Sequence, residues 1–127
     1  MSPDFLIWAF LFIFVYQNKL IMIKLTNQDS SGTSFHNVTV FASVNELISL
    51  LGEPQYECND GSDKVNFEWT CLNRNSEIFT IYDWKQYREI SEDETIEWHI
   101  GGKNISVTSA AAYELQLALS AAKRNTK

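Results

Sequence analysis

The amino-acid sequence predicts an α+β domain: a mainly antiparallel sheet of about five strands with two helices packed on one face. Three observations lead there. Several short segments alternate apolar and polar residues, two segments carry helical spacing, and the connections between successive strands are short. Read in order, the elements run β, β, α, three β, α.

Residues 22–26 (MIKLT) read as a first short strand, and residues 27–34 (NQDSSGTS) as a polar turn. Residues 35–42 alternate, with Val38, Val40 and Ala42 on one face and Thr39 and Phe41 on the other, which is strand periodicity. Ser43 stands three residues before Glu46, the spacing of a capping box. Leu47, Ile48, Leu50 and Leu51 then form the apolar side of a helix that Gly52 ends, and Pro54 lacks the amide to continue it.

After the turn cluster at residues 59–63 (NDGSD), Val65, Phe67, Trp69 and Cys71 alternate against Asn66, Glu68, Thr70 and Leu72. Residues 73–76 separate this half-buried strand from residues 77–84, whose Ile, Phe, Thr and Tyr favour extended structure, so the two are expected to form a hairpin. Residues 85–94 are charged and aperiodic, hence a loop. Ile96, Trp98 and Ile100 alternate with Glu97 and His99, and Gly101 and Gly102 are expected to stop that strand. Residues 109–123 predict the longest helix, with Ala111, Leu115, Ala118, Leu119 and Ala122 along one stripe and Lys123 and Arg124 near its negative end.

A chain of 127 residues, 45% hydrophobic, can bury one core and is too short for two ordinary domains. Sixteen acidic against 10 basic side chains give a formal charge of -6, which speaks against a cationic surface for duplex nucleic acid. Cys58 and Cys71 have no second pair and no nearby histidine, so neither a disulfide framework nor a zinc knuckle is written here.

Residues 5–16 (FLIWAFLFIFVY) are apolar without a charge. As a helix they would span roughly 18 Å, short of a hydrocarbon core of about 30 Å. Asp4 in the leader and Gln17-Asn18-Lys19 after the run do not fit a secretory signal. Residues 1–21 therefore read as an extension with three readings open: a dispensable or untranslated stretch before Met22, a short membrane anchor, or an extra buried element. Residues 22–127 form the single domain.

No catalytic constellation is expected, since His36 and His99 are the only histidines and neither sits in a recognisable nucleophile-base context. Glu92, Asp93 and Glu94 are consecutive loop acids that stay hydrated, and no metal-ligand spacing or cofactor motif is present. What remains is a set of polar groups beside strand ends. Gly32, Thr33 and Ser34 offer hydroxyls and amides for phosphate oxygens, Lys85 and Lys103 offer charge, and Trp84, Trp98 and His99 offer aromatic faces. Gly101 and Gly102 let a ligand approach the backbone closely. Together they predict a ligand-binding site for a small anionic molecule of nucleotide type, without cofactor or turnover.

The segments SGTS (31–34), LGEP (51–54), IYDWK (81–85) and EWHIGG (97–102) resemble those of a group of very small proteins of bacteriophages and other viruses. The resemblance implies a viral accessory protein of the host cytoplasm, membrane-associated where the N-terminal segment is present. Several viral proteins of this size sequester nucleotide signals of host immunity, so a cyclic or ADP-ribose-type nucleotide is the implied partner. The alternative is an interaction module that blocks a host enzyme through its acidic, aromatic surface. An exposed aromatic sheet face would also invite homo-oligomers.

Overall fold

The computed structural model of the protein describes residues 22–125, so the readings of residues 1–21 fall outside the described residues. Six strands pair antiparallel there: β1 (Lys24–Leu25), β2 (Ser34–Ala42), β3 (Tyr56–Glu57), β4 (Phe67–Leu72), β5 (Ile78–Tyr82) and β6 (Ile96–Gly102). Helix α1 (Val44–Leu51) joins β2 to β3, and α2 (Ile105–Asn125) follows β6. The sheet runs β1-β4-β5-β6-β2, and β3 shares the outer edge of β4 with β1. Between those two short strands the Gln55 side chain takes the place of a peptide group. Its Nε2 donates to the Thr26 and Thr70 carbonyls, both at 2.9 Å, and its Oε1 accepts from the Thr70 amide at 2.8 Å. The Thr70 edge amide is thereby satisfied, and the Thr70 carbonyl, which already accepts from the Thr26 amide, gains a second donor.

The period-two pattern sorts the sheet into two faces. Val40, Ala42, Phe67, Trp69, Cys71, Phe79, Ile81, Ile96, Trp98 and Ile100 are buried beneath the helices, where α2 crosses β2, β6 and β5 and α1 packs beside α2. Trp69 and Trp98 meet edge to face, with ring centroids 5.5 Å apart. Each indole N–H finds a carbonyl, Gly52 at 2.9 Å for Trp69 and Ala42 at 2.8 Å for Trp98. Helix α1 starts as its sequence requires: Ser43 Oγ accepts from the Glu46 amide and Glu46 Oε1 accepts from the Ser43 amide. Its cap, Gly52, has φ 98° and donates to the Ile48 carbonyl.

Four expectations need correction. Strand β6 runs through Gly101 and Gly102 rather than stopping at them. The reason is contact: an added Cβ would lie 2.4 Å from Thr80 Oγ1 at Gly101 and 2.8 Å from Thr108 Cγ2 at Gly102, so the glycines admit neighbours. Helix α2 begins four residues early, because the Asn104 side-chain oxygen caps it by accepting from the Val107 amide. Its buried stripe ends at Leu119, and Ala122 is exposed. Finally, Asn66 is buried whereas Val65 faces the opposite side, since strand pairing begins only at Phe67.

Candidate functional site

On the face away from the helices, strand register builds cross-strand rows. Tyr56, Glu68, Tyr82, His99 and Thr39 lie side by side across β3, β4, β5, β6 and β2, and Thr70, Thr80, Gly101 and Phe35 form the next row. Thr33, Glu68, Thr80, Tyr82, Trp84 and Gly101 enclose an open recess of about 240 Å³, together with Ser34 and Val65. Typical small-molecule sites hold roughly 300–1,000 Å³. This recess therefore suits one ring system of a larger ligand.

Aromatic rings border the recess. His99 stacks on Phe35 with centroids 3.9 Å apart, meets Tyr82 edge-on at 5.5 Å, and lies 6.3 Å from the Trp84 ring at an interplanar angle of 27°. Burial holds the His99 imidazole below its usual pKa, against a smaller opposing pull from the Glu97 charge. Lys64 and Lys85 place their ammonium groups 5.8 and 5.6 Å from the Trp84 ring centroid, so two cations gather at the indole.

The segment carrying Trp84 and Lys85 is held by buried polar groups. Asp83, fully buried, accepts from the amides of Asn66 (2.8 Å) and Phe67 (2.8 Å). Asn66 Nδ2 donates to Asn59 Oδ1 and to the Arg88 carbonyl, Asn59 pairs in both directions with Ile90, and the Lys85 amide donates to the Lys64 carbonyl at 2.7 Å. Lys85 and Tyr87 have φ of 56° and 51°, a backbone region that side chains other than glycine seldom occupy. Strain of this kind persists where its surroundings over-determine it, and here the staple of Asp83, Asn66 and Asn59 does so.

The floor of the recess is chemically unbalanced. Thr80 is 3% exposed and its hydroxyl has no hydrogen bond among the described residues. Glu68 is half-buried, and its carboxylate likewise has neither hydrogen bond nor ion pair there. Burial raises the Glu68 carboxyl above its usual pKa, and burial, with a smaller contribution from the Glu68 charge, raises the Tyr82 phenol. A raised folded-state pKa means stability that is present below the unfolded value and lost as pH rises through the folded one. Glu68→Gln is accordingly expected to melt a few degrees higher than the parent at pH 7, with the gap closing at pH 3. A variant that melts lower at pH 7 would show that the carboxylate has a stabilising partner.

The residues expected to form the site separate into groups. Thr33, Ser34, Trp84 and Gly101 line the recess, with His99 and Lys85 at its aromatic border. Trp98 does not reach it, being wholly buried in the core with its N–H given to Ala42. Gly102 is turned to the helix side, against Thr108 and Val107. Gly32 and Lys103 line a neighbouring hollow of about 430 Å³ beside Gln28, Glu77 and Val107, which shares Thr33 with the recess.

The serine-glycine-threonine turn is also less receptive to phosphate than expected. The Ser31 amide and hydroxyl both donate to Asp29 Oδ1, and the Thr33 amide and hydroxyl both donate to the Ser30 carbonyl. These donors serve the turn itself, and Asp29 adds a negative charge. Nor do Ser34 and His36 make a nucleophile and base, although Oγ and Nε2 lie 3.2 Å apart. The same Nε2 donates to the Gly102 carbonyl at 3.1 Å, so it has no lone pair for the serine proton.

Sequence reasoning passed over Glu68, Thr80, Tyr82 and Lys64. Alternation along β4 and β5 does assign Glu68, Thr80 and Tyr82 to the face opposite Trp69 and Ile81, and that was the available signal. Among the described residues no group of three or more acidic, histidine or cysteine side chains is arranged to hold a metal, and no helix is long and apolar enough to cross a membrane. In the comparisons with known proteins no family model, no curated protein and no solved structure matches the chain.

Proposed function

We propose that the protein is a non-enzymatic binder of a small nucleotide, whose base occupies the recess and whose phosphates face Lys64 and Lys85. The observation that carries this reading is that Thr33, Trp84 and Gly101, far apart in the chain, line one recess on the open face beside two lysines. Trp84, 39% exposed, offers a base a ring to stack on, and every nucleobase has such a face. The motif resemblance to small viral proteins supports a host immune signal as the nucleotide and sequestration as the role.

Calorimetry of the full chain against a panel of mononucleotides, cyclic nucleotides and ADP-ribose-type nucleotides tests this. Saturable binding with the nucleotide recovered intact after denaturation is expected. Trp84→Ala should weaken it roughly 5- to 150-fold, the equivalent of about 1–3 kcal/mol of stacking. Silence across the whole panel would overturn the proposal, and breakdown of the nucleotide would overturn its non-enzymatic part.

A second reading, an interaction module that inhibits a host enzyme, draws support from Phe41. This side chain is 57% exposed on the same open face, directly opposite the acidic Glu97. Affinity purification from host extract recovering a stoichiometric enzyme, inhibited by the purified protein, would favour it.

A further inference from the structure

Resting on the nucleotide reading, we infer that the recess selects guanine nucleotides, with the Glu68 carboxylate accepting the two adjacent N–H groups of the guanine edge. The chemistry of the floor leads to this. Its one charged side chain is a carboxylate without hydrogen bond or ion pair among the described residues, and on the same face stands Thr80, whose hydroxyl has no hydrogen bond there and is open to the recess. A half-buried carboxylate without donors is costly, and a ligand that brings donors removes the cost.

The edges of the bases differ in what they bring. Guanine presents a ring N–H next to an exocyclic amine, two parallel donors that match the two oxygens of a carboxylate. Adenine and cytosine place an amine beside a bare ring nitrogen, whose lone pair would face a carboxylate oxygen. Uracil has one N–H flanked by carbonyls. Only the guanine edge meets Glu68 without repulsion, and the Thr80 hydroxyl can then turn as donor toward an acceptor on the same ring. The charge pattern fits the rest of the ligand, since the anionic group sits in the recess while Lys64 and Lys85 stand at Trp84, on its border. Phosphates are excluded from the floor and drawn to the rim.

Calorimetry of the full chain with GMP, IMP and AMP at one salt concentration tests the inference. IMP keeps the ring N–H and lacks the amine, and AMP lacks the ring N–H. GMP is expected to bind about tenfold tighter than IMP, the worth of one charge-assisted hydrogen bond, and AMP more weakly again. Glu68→Gln should bring GMP and IMP within about threefold of each other, and its melting temperature, measured alongside, separates lost binding from lost fold. AMP binding as tightly as GMP, or GMP affinity unchanged in Glu68→Gln, overturns the guanine inference and leaves the nucleotide reading standing. If none of the three binds, the guanine inference falls, and the wider panel shows whether the nucleotide reading falls with it.

Discussion

Replacing Asp83 by alanine is expected to lower the melting temperature by more than about 10 °C, through the loss of about 3 kcal/mol or more. The Asp83 carboxylate is fully buried and accepts from two backbone amides, Asn66 and Phe67, where β4 begins. Truncation leaves both N–H groups unpaired and opens a cavity where the carboxylate stood. Each buried unsatisfied group costs about 1–3 kcal/mol. Asparagine keeps one acceptor oxygen, so Asp83→Asn should fall between parent and alanine.

The pH dependence of this pair has a defined sign. Burial pushes the Asp83 carboxyl above its usual pKa, and the amides of Phe67 and Asn66 pull the other way without cancelling it. The folded state therefore holds the proton more tightly than the unfolded chain, and stability drawn from this group declines as pH rises through the folded value. Asp83→Asn does not titrate. Thermal melts should find it more damaging relative to the parent at pH 4 than at pH 7, and the opposite order would mean that the amides outweigh burial.

Alternation in β2, β4 and β6 and the Ser43 to Glu46 capping box are local signals, and they place their elements because burial of one face imposes a period of two, but the alternation fails at Val65 and Asn66 and does not mark the end of β6. The short strand β3 has no such signal. Two residues carry no period, and it exists because β4 presents an edge and Gln55 fills the gap beside it. Residues 85–94 likewise read as a loop on charge and the absence of a period, yet Ile90 is buried and the Asn59 side chain clasps its amide and carbonyl.

For the candidate site the divide is sharper. Trp84 and Trp98 look alike in the sequence as aromatics beside strands, but Trp98 lies on the helix side of β6 and Trp84 stands just past the buried Asp83 that follows β5. Gly101 and Gly102 point to opposite faces for the same reason. Composition can nominate such residues. Register decides which face they serve, and register depends on partners that no local window contains.

Gly61→Ala is expected to be comparably severe, for a reason no contact list of side chains would reveal. Gly61 has φ 76°, and a Cβ there would lie 2.4 Å from the Arg88 amide nitrogen, 2.6 Å from Arg88 Cα and 2.7 Å from the Tyr87 carbonyl carbon. All three are backbone atoms. They cannot give way cheaply, because the Arg88 carbonyl accepts from Asn66 and Tyr87 already has φ 51°. The left-handed backbone costs alanine about 1–2 kcal/mol and overpacking about 1–3 more, so roughly 2–5 kcal/mol is expected in all. Gly32→Ala supplies the control: φ is 87° there, but nothing lies within 4 Å of the added carbon, so only the backbone cost of about 1–2 kcal/mol applies. Melting temperatures of the two variants separate conformational strain from collision. Because Gly61 abuts the segment that carries Trp84 and Lys85, its alanine variant should also weaken the nucleotide binding proposed above at temperatures where it remains folded, and equal melting of the two variants would show that the segment yields without cost.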